Sequence, residues 1–142
     1  MWIIFSLLAA VSAAMVTTLS KAGIKSLDPS LVFAVEAVLI ILVAWGVVVA
    51  QGNVKEVKEI DGRTWVYLLS AGVLTAVSSL MSFRALKLGD ASQTNPVERL
   101  SLVFAITFAA LFLKEKITAQ IIIGAVLMAA GAVVIALAKK GS

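Results

Sequence analysis

Four polar side chains that could do chemistry lie in one stretch of the sequence that is otherwise largely apolar. This stretch runs from residue 91 to residue 113 and carries Asn95, Glu98, Arg99 and Ser101. An amide, a carboxylate, a guanidinium and a hydroxyl can between them hold a proton, an ion or a polar solute. We therefore predict that these four residues are substrate or coupling-ion contacts.

Glu98 and Arg99 are costly in such a place. A charge at the centre of a membrane helix costs about 2.5 to 3.5 kcal/mol on insertion scales. The two residues are consecutive, so they point about 100° apart around a helix and cannot readily satisfy each other. Both side chains must then face protein or a wet cavity. Pro96 removes a backbone donor just before them, and we predict that it kinks the helix.

Glu36 is a further acid in an apolar stretch, and we add it to the substrate or coupling-ion candidates. It is the natural partner for Arg99 across a helix interface. Two interpretations stay open: a structural salt bridge, or a carboxylate that binds a proton or a cationic substrate on one side of a membrane and releases it on the other.

Five apolar segments must position these residues. A hydrocarbon core about 30 Å thick needs roughly 20 helical residues to cross it. The sequence offers such segments at residues 2–20, 31–50, 65–83, 91–113 and 119–138. Since 61% of residues are hydrophobic and only 14% are charged, the composition is not that of a soluble domain. We predict an all-α, multi-pass membrane protein, a five-helix bundle forming a single domain over residues 1–142.

The absence of Cys and His limits the chemistry. It removes thiolate nucleophiles, imidazole bases and nearly every transition-metal ligand set. We predict no catalytic residue, no metal site and no cofactor, and we do not expect an enzyme. The net charge of +4 comes from basic residues placed singly or in pairs at segment ends. That placement favours membrane lipids over nucleic acid as partners.

Small residues and hydroxyls indicate helix packing. Gly124 and Gly131 lie seven residues apart in the fifth segment, and we assign them to helix packing or to a dimer contact. The third segment carries several hydroxyls, among them Ser70 and Thr75. We favour bonds to carbonyls of their own helix over the lining of a polar passage.

Basic residues are almost evenly divided between the two sides of the membrane. Five crossings place five of them on one side, and six on the other, with Arg99 excluded as intramembrane. The first set is Lys55, Lys58, Arg63, Lys114 and Lys116, and the second is Lys21, Lys25, Arg84, Lys87, Lys139 and Lys140. Orientation follows the excess of cytoplasmic Lys and Arg, which is nearly absent here. We therefore hypothesise dual topology and an antiparallel homodimer.

Several short motifs in the second half give the chain a family resemblance. They are Ala85-Leu86-Lys87-Leu88-Gly89, Asn95-Pro96-Val97 and Leu113-Lys114-Glu115-Lys116-Ile117, followed by Gly124 and Gly131. The sequence resembles a single EamA-like domain of the drug/metabolite transporter superfamily, of the five-helix bacterial and archaeal type. Glu98 and Arg99 correspond to an acidic-basic pair that often follows the Pro in the short members.

The resemblance implies an inner-membrane carrier that works by alternating access. Ten-helix relatives resemble two such domains fused as an inverted repeat, so a lone half needs a second copy or a homologous half. We predict a transporter protomer that moves a small metabolite or drug-like solute. The alternative is a non-transporting membrane subunit that scaffolds a lipid carrier or a partner enzyme.

Overall fold

The computed structural model describes residues 1–138, and the part that it describes is built from helices. Their order along the chain is α1 (Trp2–Gly23), α2 (Pro29–Ala50), a short 3-10 helix (Asn53–Glu59), α3 (Gly62–Leu88), α4 (Ala91–Glu98), α5 (Ser101–Phe112) and α6 (Ala119–Leu137). Five spans are long and apolar enough to cross a membrane, with α4 and α5 together forming the fourth. The predicted all-α fold with five membrane helices is confirmed.

The chain divides into two compact units, which are described separately. The first unit is Met1–Lys87, and the second begins at Leu88. Lys139 and Lys140, which entered the charge count, lie outside the described residues. The assignment of one domain to residues 1–142 stays a prediction.

In the first unit, α1 and α2 form a helical hairpin with a defined turn. Asp28 precedes α2 in an extended conformation, and its Oδ1 accepts a hydrogen bond of 2.8 Å from the backbone N–H of Ser30. Pro29 takes the first helical position, where its missing N–H costs nothing. The N–H groups of the first turn and the positive charge of Arg84 lower the pKa of the Asp28 carboxyl below its ordinary value.

Packing in the first unit is concentrated where α1 and α3 end. Ile24 and Leu86 are its two buried large apolar side chains among the described residues. The rings of Phe33 and Phe83 pack 5.7 Å apart, which joins α2 to α3. Most other apolar side chains are exposed, as expected for helices whose solvent is lipid.

In the second unit, the fourth apolar segment is divided between two helices. The helical pattern of α4 continues through Pro96 and ends at Glu98. At the junction, the N–H of Leu100 bonds to the carbonyl of Val97 at 3.0 Å, and those of Leu102 and Val103 also bond to carbonyls three residues earlier. The chain therefore tightens into a 3-10 type turn before α5 begins. The kink assigned to Pro96 stays a prediction. The helix continues past Pro96, and the switch to bonds three residues apart occurs only at the junction after Glu98.

Helix α6 is the element on which the second unit packs. Both α4 and α5 contact it, and Ala125 and Ala132, seven residues apart, are its buried positions. Small side chains at this spacing let helices approach closely. The side-chain Nε2 of Gln93 donates to the carbonyl of Ala138 at 2.9 Å and so ties α4 to the end of α6.

The hydroxyls of the third segment bond within their own helix where the structure resolves a partner. Ser70 Oγ donates to the Val66 carbonyl at 2.7 Å, and Thr75 Oγ1 donates to the Ala71 carbonyl at 2.8 Å. The bonds of these two side chains agree with the interpretation that the hydroxyls bond to carbonyls of their own helix.

Candidate functional site

The polar residues of the fourth span gather at the junction of α4 and α5. Asn95 and Pro96 lie in the last turn of α4 and are half-buried, whereas Glu98, Arg99 and Ser101 are exposed. Within residues 88–138, the side chains of Glu98 and Arg99 make neither a hydrogen bond nor an ion pair. Two charges thus stand without a partner in their own unit, inside a membrane span.

Asn95 and Arg99 open onto a groove between the broken fourth span and α6. The groove has a volume of about 410 Å³ and is lined by Asn95, Pro96, Arg99, Leu102, Met128, Gly131, Ala132 and Ile135. We call it the Arg99 groove. Asn95 and Arg99 are four residues apart, so they lie one above the other on one face. The groove therefore has a cationic, hydrogen-bonding end and an otherwise apolar wall.

Glu98 and Ser101 belong to a different face. Neither residue lines the Arg99 groove. The helical offset between consecutive residues explains the separation, since Glu98 and Arg99 point in directions about 100° apart. The structure therefore brings Asn95 and Arg99 together and leaves Glu98 and Ser101 outside their groove.

A larger groove between α5 and α6 is not the better site, although its volume is about 620 Å³. Its wall is aliphatic except for Thr107, whose Oγ1 donates to the carbonyl of Val103 at 2.9 Å. A groove without an available polar group can take an acyl chain or an apolar helix face, but it cannot orient a polar solute.

In the first unit, Glu36 has a partner that the sequence analysis missed. The hydroxyl of Ser20, only 6% exposed, donates to Oε1 of the half-buried Glu36 at 2.7 Å. The sequence held no clear signal for this contact, because Ser20 lies close to the end of α1 whereas Glu36 lies about two turns into α2. The pairing of Glu36 with Arg99 stays a prediction.

Two lysines of the first unit bond to backbone carbonyls of the protein rather than extending freely into the headgroup layer. Lys87 Nζ donates to the carbonyls of Ile24, Lys25 and Leu27 at 2.9 to 3.0 Å. Lys21 Nζ donates to the carbonyl of Leu86 at 2.6 Å. We call this pair the lysine clamp. Its ammonium groups bond to a carbonyl in the last turn of α3 and to carbonyls of the turn between α1 and α2.

The two glycines assigned to helix packing or to a dimer contact have open space beside them within the described chain. A Cβ added at Gly124 or Gly131 would meet no atom within 4 Å. Close packing on α6 falls instead to Ala125 and Ala132, and Gly131 forms part of the Arg99 groove. Their role in a dimer contact stays a prediction.

Comparison with known proteins gives two findings that cover most of the chain. The model of the EamA-like transporter family matches residues 1–137. A protein of Sinorhizobium sp. named "Uncharacterized transporter in cobO 3'region" is 37% identical over 135 residues, which are 95% of this chain and 96% of that protein. No solved structure matches the chain.

Proposed function

Since the chain belongs to the EamA-like transporter family, we propose that it moves a small metabolite or drug-like solute across the cell membrane by alternating access. The family membership confirms the resemblance drawn from the sequence and makes the chain a membrane transporter. Our proposal goes further and concerns the mechanism, the assembly, the residues that contact the solute and the location in the inner membrane.

One observation carries the proposal: the fourth membrane span is interrupted where its amide, carboxylate and guanidinium groups lie. Carriers commonly bind their solutes at discontinuous membrane helices, because the interruption leaves polar groups available at membrane depth. Asn95 and Glu98 lie in the last turn of α4, and Arg99 caps that helix at the interruption.

A second copy of the chain completes the pathway in this proposal. Glu98 and Arg99 are exposed on the surface of one protomer, yet a charged side chain in a membrane span faces protein or water rather than lipid. A partner protomer supplies that cover by enclosing a water-filled space beside the two charges, which leaves both without a bonded partner. The near-even distribution of basic residues supports an antiparallel arrangement, in which the two copies act as the two halves of an inverted repeat.

Glu36 is the proposed coupling residue, and Ser20 positions it. The buried hydroxyl holds one carboxylate oxygen at 2.7 Å, so the acid has a fixed orientation near the end of α1. A carboxylate at this depth can take up a proton on one side and release it on the other as the bundle changes conformation. The expected transport is therefore driven by a proton gradient.

Reconstituted vesicles test the coupling. Protein in liposomes loaded with a pH-sensitive dye is exposed to a metabolite panel, and the wild type is expected to show proton movement driven by at least one solute. Glu36→Gln keeps the size of the side chain, removes the proton site and should abolish that signal. Lys116→Gln, a change on the loop between α5 and α6, is the control. Equal proton movement in the wild type and Glu36→Gln would reject the role of Glu36.

A compartment-sensitive reporter at the C-terminus tests the arrangement of the dimer. Dual insertion predicts signal from both sides of the membrane for one and the same tagged protein. Two added lysines in the loop that contains the 3-10 helix should then shift the population toward one orientation. Signal from one side alone, before any lysine is added, contradicts the antiparallel dimer.

A further inference from the structure

We propose that the Arg99 groove binds an amphipathic organic monoanion, with a carboxylate or phosphate head at Arg99 and Asn95 and an apolar body along α6. This inference rests on the proposed function, because it names the class of solute that the carrier recognises. It goes beyond the sequence, in which the adjacent Glu98 and Arg99 offer both signs of charge.

The charge of the groove selects the sign of the ligand. Arg99 is the only ionisable side chain among the described residues that line it, and Glu98 lies outside. The guanidinium has no hydrogen bond or ion pair within residues 88–138. It can offer its planar fork of donors to a carboxylate or phosphate oxygen pair, and the Asn95 amide can add one more donor.

The rest of the groove selects an apolar body. Leu102, Met128 and Ile135 present aliphatic surface, and the absence of a side chain at Gly131 leaves space beside α6. A sulfur-containing, unbranched side chain such as that of Met128 adapts to ligands of different outline. A small inorganic anion would leave this surface uncovered, so the groove fits an anion with a hydrocarbon or aromatic portion.

The depth of Arg99 favours a soluble solute over a headgroup of the surrounding lipid. Arg99 follows the start of the fourth span, Ala91, by eight residues, or about 12 Å of helix at 1.5 Å per residue. Lipid phosphates lie outside the hydrocarbon core. An anion at the guanidinium must therefore be carried inward, and the same positive end that binds it offsets its desolvation.

Fluorine NMR of purified protein in phosphatidylcholine nanodiscs tests the inference without any transport. Three probes share one apolar body and differ in the head: 4-(trifluoromethyl)benzoate, the neutral benzamide and the cationic benzylammonium. We expect the wild type to bind the benzoate at least about tenfold more tightly than either of the others, as a charge-assisted hydrogen bond implies.

Variants locate the binding. Arg99→Gln should lose about tenfold or more in benzoate affinity, while Lys116→Gln, which removes a positive charge outside the groove, should stay within about twofold. Gly131→Leu should block the groove by its bulk, and Ala136→Leu on the same helix is its steric control. The same samples are melted, so that a variant that fails to fold is recognised before its affinity is compared.

The outcomes separate this inference from the proposed function. Equal affinity for the three heads, or benzoate binding that folded Arg99→Gln retains, overturns the inference. Charge-selective binding upholds it even if vesicles show no transport, in which case only the proposed function fails. Phosphatidylglycerol added to the nanodisc identifies the source of the anion: displacement of the benzoate assigns the groove to a lipid phosphate, and retention assigns it to a soluble solute.

Discussion

The two units of this chain treat their charged side chains in opposite ways. In the first unit, Glu36 accepts a hydrogen bond from Ser20, and the lysine clamp bonds to backbone carbonyls. In the second unit, Glu98 and Arg99 are exposed and have no polar partner within residues 88–138. Satisfied charges stabilise a fold, whereas unsatisfied charges in a membrane segment destabilise it.

This difference between the two units bears on where the proposed solute site lies. A site that binds a solute must keep polar groups available for it, and those groups are costly until the solute or a partner arrives. The first unit is then the better-braced half, and in our proposal it holds the coupling residue Glu36. In the same proposal, the second unit provides the solute-binding surface. Replacing an unpartnered charge in the second unit should therefore raise stability, whereas removing a bonded polar group in the first unit should lower it.

The largest effect is expected at Arg99. Arg99→Leu replaces an unpartnered charge by an apolar side chain and should raise the free energy of unfolding by about 2 to 3 kcal/mol, following insertion scales. Thermal unfolding in phosphatidylcholine nanodiscs measures it. Lys116→Leu, a change outside the spans, should lie within about 0.5 kcal/mol of the wild type. A loss of stability in Arg99→Leu would mean that Arg99 already has a partner in the assembled protein.

The sequence was a good guide to the elements and to the set of polar residues, but a poor guide to their grouping. Apolar runs of about 20 residues identify membrane helices because few other structures satisfy the backbone in lipid. Periodicity alone separates Glu98 from Arg99, but it does not pair Ser20 with Glu36, which lie at different distances from the turn between α1 and α2. The Arg99 groove could not be foreseen, because its wall comes from α6, some 30 residues away in sequence.

The clamp was missed for a related reason. Lysines at the ends of apolar segments commonly anchor a membrane helix to the headgroup layer, and the sequence analysis assigned them to that role. Their actual acceptors are backbone carbonyls, and these carry no mark in the sequence. Only the approach of the C-terminal ends of α1 and α3 brings Lys87 to the carbonyl of Ile24.

A smaller effect, and one of opposite sign, is expected in the lysine clamp. Lys87→Met keeps the length of the side chain and removes three bonds to carbonyls at the turn between α1 and α2. Because Lys87 is exposed, which weakens its bonds, we expect a loss of only about 1 kcal/mol in the free energy of unfolding.

Lys25→Met is the matched control for the clamp, since the Lys25 ammonium makes no hydrogen bond within residues 1–87 and its carbonyl is unaffected by the substitution. Hydrogen exchange of the backbone between α1 and α2 should rise in Lys87→Met and stay unchanged in the control. Equal exchange in both variants would contradict a bracing role for the clamp.

Ser20→Ala should have a similar effect on stability. It removes the donor to Glu36 and is expected to cost about 1 kcal/mol in thermal unfolding. Ser6→Ala is the control, because the Ser6 hydroxyl bonds to the Trp2 carbonyl of its own helix and faces outward. If Ser20 positions the coupling residue, Ser20→Ala also changes the pH profile of transport, whereas Ser6→Ala does not. A transport profile identical to that of the wild type would limit Ser20 to a structural role.

The smallest effect concerns the two helix caps, which differ between the units in chemistry. Asp28 caps α2 with a carboxylate, and Thr118 caps α6 with a hydroxyl that accepts from the Ile121 N–H at 3.4 Å. The pKa of Asp28 is lowered from 3.8 by the backbone N–H of Ser30, so its contribution is present above pH 3.8 and is lost as pH falls through the lower value of the folded state. Asp28→Asn keeps a capping oxygen that does not titrate.

The stability difference between wild type and Asp28→Asn should therefore shrink below pH 3.8, whereas the difference between wild type and Thr118→Ser should not change across that range. A constant Asp28→Asn difference down to about pH 2.5 would show that the carboxylate does not stabilise the turn through its charge.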